Sequence, residues 1–166
     1  MDLQFGLSAT FAFLQDVFDS PQMSSPKLDP RPVRREEIEF EHEDKVYVYA
    51  FNRFEDGKIT FGRVPLSSAK KNPIHVLYPS GTPTHIGIAL IVLYKGFQQG
   101  TADWSFLREI LTILLGDMSK EACYCALKTA MTKTPWAKVD DVMQFVAPYS
   151  KWKVSALFRY HGNGSV

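Results

Sequence analysis

The residue types that most often carry enzymatic chemistry are few in this chain and widely spaced. Its histidines are His42, His75, His85 and His161. They show neither helical spacing nor a metal-type spacing with a cysteine, and zinc needs four converging ligands. His75 and His85 could meet across adjacent strands, although ordinary strand histidines explain them better. The sequence therefore predicts no metal site and no cofactor.

The two cysteines, Cys123 and Cys125, are two residues apart on a predicted helix, so their side chains point in different directions. This geometry is poor for a disulfide, and we expect a reducing, cytoplasmic (intracellular) setting. A position shortly after a helix N-terminus lowers the pKa of a thiol. Cysteine is also among the residues most often simply buried, and we favour burial over a catalytic role.

The carboxylate pairs do not form a glycosidase-like couple. Glu36 and Glu37 would face opposite sides of a strand, and Asp140 and Asp141 would diverge by about 100° on a helix. A phosphate loop, a dinucleotide fingerprint, a nucleophile elbow and a metalloprotease motif are all absent from the sequence. We therefore predict that the protein is not an enzyme.

Residues 45–64 carry the clearest local pattern, because two alternating runs flank Asp56-Gly57, a strong hairpin signal. A two-residue turn would place Phe54 opposite Ile59 and Asn52 opposite Phe61. That register predicts one core face, formed by Val46, Val48, Ala50, Phe54, Ile59 and Phe61.

The other predicted face of this hairpin carries Tyr47, Tyr49, Phe51 and Arg53. Rings for stacking beside a cation are typical of single-stranded nucleic-acid sites. The nearby lysines that could add charge are Lys58, Lys70 and Lys71. Three interpretations stay open for this face: it is covered by a helix of its own fold, it binds a protein, or it binds nucleic acid. The net charge of +1 counts against the last.

Residues 84–97 form the stretch around which the chain is organised. Residues 86–93 are almost continuously apolar and rich in β-branched side chains, which predicts a central strand covered on both faces. The run is far shorter than the roughly 18 apolar residues of a membrane-spanning helix, so we predict no transmembrane segment.

The remaining elements follow from period and capping signals. Residues 73–78 predict a short strand, and the acidic block after Arg35 predicts a charged edge strand. Three helices are predicted over 103–147, with Asp103 or Thr101 and then Ser119 as caps. Residues 151–160 predict a returning strand. The fold class is α+β, an antiparallel sheet with a three-helix layer on one face and an N-terminal helical arm.

Residues 1–35 form that arm, an amphipathic helix followed by a Pro/Ser-rich linker, and residues 36–166 form one globular domain. The helical stripe of the arm is Leu3, Leu7, Phe11, Leu14 and Phe18. It can dock on its own core, on another subunit or peripherally on a lipid surface. The lack of Lys and Arg on its polar side counts against the lipid surface.

The 166 residues, 45% hydrophobic and 22% charged, suit one globular domain with an arm. We expect a non-enzymatic interaction protein or self-associating scaffold that binds a protein partner or itself, as a homo-oligomer. The alternative is a nucleic-acid-binding module that uses the aromatic and basic strand face. In organisation, with no shared motif, the chain resembles small viral matrix and accessory proteins, a fold-level analogy.

Overall fold

The computed structural model describes residues 31–67, 69–100 and 103–152. The described elements belong to the unit of the chain that begins at Pro32. The strands are β1 (Arg34–His42), β2 (Lys45–Arg53), β3 (Ile59–Arg63) and β4 (Ile74–Tyr78). The helices are α1 (Pro83–Gln99), α2 (Trp104–Gly116), α3 (Lys120–Met131) and α4 (Val139–Val146), followed by a 3-10 turn (Ala147–Tyr149). The α+β class is confirmed, as a four-stranded antiparallel sheet with four helices.

Two predictions lie outside the described residues. These are residues 1–30 of the N-terminal arm, with Leu3, Leu7, Phe11, Leu14 and Phe18, and the returning strand over residues 153–160. Arg34 and Arg35, predicted as the end of the linker, belong to β1. At the start of that predicted strand, Lys151 and Trp152 are described and are not in a strand. The Trp152 Nε1 instead donates a hydrogen bond of 2.9 Å to the carbonyl of Met118, after α2.

The sheet is a meander in the order β1-β2-β3-β4. Glu43 and Asp44 join β1 to β2 with φ angles of 49° and 66°, and His42 pairs with Lys45. Two consecutive positive φ values are the mark of a type I′ turn, whose twist matches that of the flanking strands. Among the described strands, the acidic strand β1 lies at one edge, which confirms the predicted charged edge strand.

The register predicted for the second hairpin is wrong by one residue. Phe51 pairs with Phe61, and Arg53 pairs with Ile59. The backbone N–H of Phe54 donates to the carbonyl of Lys58, so the loop has three residues and ends at Gly57, whose φ is 89°. A three-residue loop with glycine in the left-handed region is the next commonest hairpin after the two-residue turn. A slip of one residue moves the partners to the other face.

The central strand predicted at residues 86–93 is also wrong, because this run lies within α1. The side chain of Thr82 caps the helix by accepting from the N–H of His85 at 3.3 Å. Pro83 occupies the first turn, and Gly100, with a φ of 66°, ends the helix. These are standard start and stop signals. The predicted burial is confirmed for residues 89–93, which are fully buried, whereas Ile86 and Ile88 are half-buried.

Two glycines let α1 approach its neighbours closely. A Cβ at Gly87 would lie 2.4 Å from the carbonyl oxygen of Ala126 in α3. A Cβ at Gly96 would lie 2.6 Å from Cγ2 of Ile38 in β1. Both distances are shorter than carbon contacts allow, so glycine is required for α1 to pack between the sheet and α3.

The three helices predicted after residue 103 are confirmed. Asp103 accepts from the N–H of Ser105 at 3.1 Å, and Ser119 accepts from the N–H of Ala122 at 3.0 Å. The helices bury the apolar stripes that the period of 3.6 predicts, such as Leu107, Leu111 and Leu114 in α2. Together with α1 they contribute to one core cluster with the sheet.

Candidate interaction surface

Alternating side chains divide the sheet into two faces. The inner face packs into the helical core and consists of Ile38, Phe40, Tyr49, Phe51, Ile59, Phe61 and Leu77. The outer face carries Arg35, Glu37, Glu39, Glu41, Val46, Val48, Ala50, Asn52, Thr60, Gly62, Ile74 and Val76. None of these outer side chains belongs to the core cluster of the described residues.

The predicted aromatic site lies on the inner face. Tyr49 is 9% exposed and Phe51 is 0% exposed, so the face assigned to a partner faces the core. Trp136, which follows α3, covers the tyrosines, with ring centroids 4.7 Å from Tyr47 and 6.1 Å from Tyr49. The Phe51 ring stacks on Phe61 at 5.4 Å. Of the three interpretations of this face, coverage by the protein's own fold describes these rings.

The electrostatics of the tyrosine pair follow from this burial. Burial raises the pKa of Tyr49, partly opposed by the positive charge of Arg63. The Arg63 guanidinium lies over the Tyr47 ring, 4.9 Å from its centroid. A cation over a partly buried ring is a favourable packing contact. The Tyr47 ring therefore contacts Trp136 on one side and also contacts the guanidinium of Arg63.

The structure separates the predicted lysines from Tyr47, Tyr49 and Phe51. Lys58 lies at the hairpin loop, 5.4 Å from the ring centroid of Phe54. Arg53 pairs with Ile59 at the end of β2 and is half-buried. Lys70 and Lys71 are exposed and line a groove on the outer face. Stacking of a nucleic-acid base on Tyr49 or Phe51 would require the core to open.

An acidic groove of about 520 Å³ lies along the β1 side of the sheet. Its lining is Glu37, Glu39, Glu41, Val46, Val48, Phe40 and Gln99. The amide of Gln99 makes a two-way contact with the backbone of Glu41, accepting from its N–H and donating to its carbonyl, each at 3.2 Å. This contact joins the end of α1 to the edge strand and fixes one end of the groove.

A basic groove of about 250 Å³ lies towards β3 and the segment that joins it to β4. Its lining is Arg35, Ala50, Asn52, Gly62, Arg63, Val64, Pro65, Lys70, Lys71, Asn72 and Ile74. The Asn72 side chain donates to the carbonyl of Arg63 at 3.2 Å, which holds the connecting segment against β3. Among the described residues that line it there is no carboxylate, so the groove is cationic.

The floors of both grooves come from β2, and exposed aliphatic side chains lie on the same face. Val46 is 43% exposed, Val76 is 38% exposed and Ile74 is 69% exposed. Between them, Ala50, Asn52 and Thr60 are at most 6% exposed. The outer face thus combines apolar side chains with two charged regions of opposite sign.

His75 and His85 do come together, with ring centroids 3.8 Å apart in a stacked arrangement. They belong to β4 and to the first turn of α1, and not to adjacent strands as predicted. Burial lowers the pKa of His75, and the charges of His85 and Lys133 lower it further. In the described part of the chain, no group of three His, Cys, Asp or Glu side chains could hold a metal ion.

The cysteines do not form an activated site in the described structure. Cys123 is fully buried, and burial raises the pKa of its thiol to about 11. A thiol nucleophile needs the opposite shift, because the thiolate is the reactive form. Cys125 is exposed, and both cysteines are free.

The comparisons with known proteins give no relative. No family model matches the chain, and neither a curated protein nor a solved structure is similar to it. Within the described residues, none of the helices is both long enough and apolar enough to cross a bilayer.

Sequence reasoning missed the outer face as a candidate surface because the hairpin register assigned its valines to the core. One signal could have found it. Residues on one side of β2 are aromatic and those on the other side are smaller aliphatics, and the larger rings fill more core volume. The same parity places Arg35 beside Asn52, on the face that the lysines of the connecting segment also reach.

Proposed function

We propose that the protein is a non-enzymatic, self-associating interaction protein, and that the outer face of its sheet docks on the same face of a second copy. One observation carries this proposal: an acidic groove and a basic groove lie on one face, with exposed aliphatic side chains beside them. Interfaces of this type combine apolar contact with complementary charge.

A two-fold axis makes such a face complementary to itself. In a symmetric dimer the same patch is used by both copies, so a residue on one side of the axis meets a residue from the other side. The acidic groove of one copy can then face the basic groove of its partner, twice per dimer. A surface of one sign would repel its own copy, and this surface carries both signs.

The exposed aliphatic residues of the outer face contribute to the free energy of dimerisation in addition to the charged residues. Exposed pairs of opposite charge contribute about 1 kcal/mol or less, whereas each buried CH2 group contributes about 0.8 kcal/mol. Val46, Ile74 and Val76 are exposed in the single chain and would be shielded by a second sheet. Two sheets that pack face to face bury such alternate residues.

Two charge-reversed variants test the proposal. Lys70→Glu/Lys71→Glu cancels the positive charge of the basic groove, which keeps Arg35 and Arg63, and Glu37→Lys/Glu41→Lys reverses the charge of the acidic groove, which keeps Glu39. We expect the wild-type protein to dimerise in sedimentation equilibrium and each variant alone to be at least tenfold weaker. An equimolar mixture of the two variants should recover a dimer, because the unchanged acidic groove of the first variant then meets the unchanged basic groove of the second.

Circular dichroism of each variant checks that it is folded. Lys45→Glu/Lys58→Glu provides a control with the same change in net charge at sites that line neither groove. A wild-type protein that stays monomeric over a wide range of concentrations would refute the proposal. It would also be refuted if the two reversed variants failed to associate when mixed.

A further inference from the structure

The basic groove has the composition of an anion site built around one buried amide. Asn52 is 6% exposed and lines this groove. Its Nδ2 donates to Oγ1 of Thr60 at 3.5 Å, and its Oδ1 accepts from Nη1 of Arg35 at 3.4 Å. Both contacts are at the long end of hydrogen-bond range.

The amide nitrogen of Asn52 has a second N–H bond that can donate to a ligand. An asparagine NH2 group carries two N–H bonds, and in the described structure one of them is directed at Oγ1 of Thr60. A buried donor without a good acceptor is costly, which favours a ligand that supplies one. The groove in which it lies is open to such a ligand.

Cations approach the groove from two sides. Arg35, on β1, is held by Glu37, whose Oε2 accepts from Nη2 at 2.9 Å, and its Nη1 points to Asn52. Lys70 and Lys71 come from the segment after β3, where the N–H of Lys70 donates to the carbonyl of Ser67 at 3.2 Å. The segment is thus folded as a turn that carries both ammonium groups.

We propose that the basic groove binds a phosphate group, either inorganic phosphate or the phosphate of a small monoester. A phosphate carries a charge of about −1.5 to −2 at neutral pH and three strong acceptor oxygens. Lys70 and Lys71 supply point charges for such an anion, and Arg35, whose Nη atoms are directed at Glu37 and Asn52, adds a third cation to the lining. A carboxylate has one charge and two oxygens, so it would leave part of this donor set unused.

The volume of the groove limits the ligand to a small one. At about 250 Å³ it falls below the roughly 300–1,000 Å³ of pockets that enclose drug-sized molecules. The backbone of Gly62, on the floor of the groove, lies close to Pro73. A Cβ at Gly62 would lie 2.9 Å from the carbonyl oxygen of Pro73. The apolar floor of Ala50 and Val64 can contact the carbon atoms of a monoester. This inference goes beyond self-association, although both use the outer face.

A nuclear magnetic resonance titration of the full-length protein tests this site. Inorganic phosphate, phosphoserine and a nucleoside monophosphate are added separately, with sodium chloride at matched ionic strength as the reference. We expect saturable shifts of the Asn52 side-chain NH2 signals with at least one phosphate compound and none with chloride. Phosphate alone and the two esters distinguish the free anion from a monoester as the preferred ligand.

Lysine substitutions distinguish a phosphate site in the basic groove from attraction of phosphate by the overall charge of the protein. Lys70→Gln/Lys71→Gln should raise the dissociation constant at least tenfold, while the matched pair Lys45→Gln/Lys58→Gln should change it less than twofold. Equal weakening by both pairs would overturn the proposal, because it would indicate only the overall charge. An Asn52 signal that does not move at saturating phosphate would overturn it as well.

Sedimentation of the same samples keeps the two proposals distinguishable. A protein that stays monomeric and still shows the Asn52 shift has the phosphate site without self-association. The titration is run at protein concentrations at which sedimentation shows monomers, because the proposed dimer would cover the basic groove with the acidic groove of its partner. An absent shift in the monomer then overturns the phosphate site and leaves the self-association proposal standing.

Discussion

The two faces of one sheet differ in what their side chains contact. On β2, Tyr49 and Phe51 belong to the core cluster, contact aromatic neighbours and are at most 9% exposed. Val46, on the opposite face of the same strand, is 43% exposed. A strand that is apolar on both sides buries the face with the larger rings, because an aromatic ring removes about 150–250 Å² from water. The smaller aliphatic face remains for contacts with other molecules.

The largest expected effect comes from removing a ring of the inner face. Phe51→Ala should lower the free energy of unfolding by about 3–5 kcal/mol, because the site is fully buried and the ring stacks on Phe61. Val46→Ala, on the outer face, should lower it by less than about 1 kcal/mol. Urea unfolding measures both. Similar losses for the two variants would contradict the assignment of the faces.

A second prediction concerns how closely α1 packs beside the inner face. Gly87→Ala should lower the free energy of unfolding by about 1–3 kcal/mol, because the new Cβ would meet the Ala126 carbonyl at 2.4 Å. The gain in helix propensity, about 1 kcal/mol, is smaller than the cost of separating two backbones. Gln98→Ala, on the exposed side of the same helix, is the control and should change stability by less than about 0.5 kcal/mol. A Gly87→Ala protein as stable as the control would show that α1 and α3 are less tightly packed.

The third prediction uses the outer face and rests on the proposed self-association. Val46→Thr/Val76→Thr should weaken dimerisation about tenfold, since it replaces a methyl group by a hydroxyl at two exposed positions. Unfolding stability should change by less than about 1 kcal/mol, because both residues suit strands and neither belongs to the core. Sedimentation equilibrium and urea unfolding are measured on the same samples. Unchanged dimerisation would place the contact elsewhere on the surface.

The smallest effect is a pH dependence at the edge of the inner face, where His75 pairs with Phe61 in the sheet. The folded-state pKa of His75 lies below its ordinary value of 6.5, chiefly because of burial. The unfolded chain therefore binds more protons in the interval below pH 6.5, and stability falls as the pH falls through that interval.

His75→Gln should make the stability of the protein less dependent on pH below 6.5. Gln98→Ala, which removes no titratable group, is the control and should keep the wild-type slope. Urea unfolding at a series of pH values measures the slope for each protein. If His75→Gln left the slope unchanged, the stacked pair with His85 would not be its source.

The parts of the fold that depend on local pattern were predictable. Asp103 and Ser119 cap α2 and α3 as their positions indicate, and Gly116 ends α2. The helical conformation of residues 86–93 was not predictable in this way, because a short apolar run of β-branched residues is compatible with a buried strand or a buried helix. The cap at Thr82, with Pro83 after it, is the local signal that favours the helix.

The sequence named two residues of the candidate surface and did not predict its arrangement. Lys70 and Lys71 could be named from the sequence, but their proximity to Arg35 and Asn52 depends on how the segment after β3 folds back. Tyr47, Tyr49 and Phe51 were assigned to the face opposite the core, whereas they pack into the core or against it. A single residue in the length of the hairpin loop caused this, because side chains alternate with a period of two.

The sequence by itself determined the α+β class, the capped helices, the charged edge strand and the lack of a recognisable catalytic motif, since each of these depends on neighbouring residues. Only the tertiary structure decided which face of the sheet meets the helices, that residues 86–93 are helical, and that opposite charges share one face. These features depend on contacts between residues distant in the chain, whose packing overrides local preference.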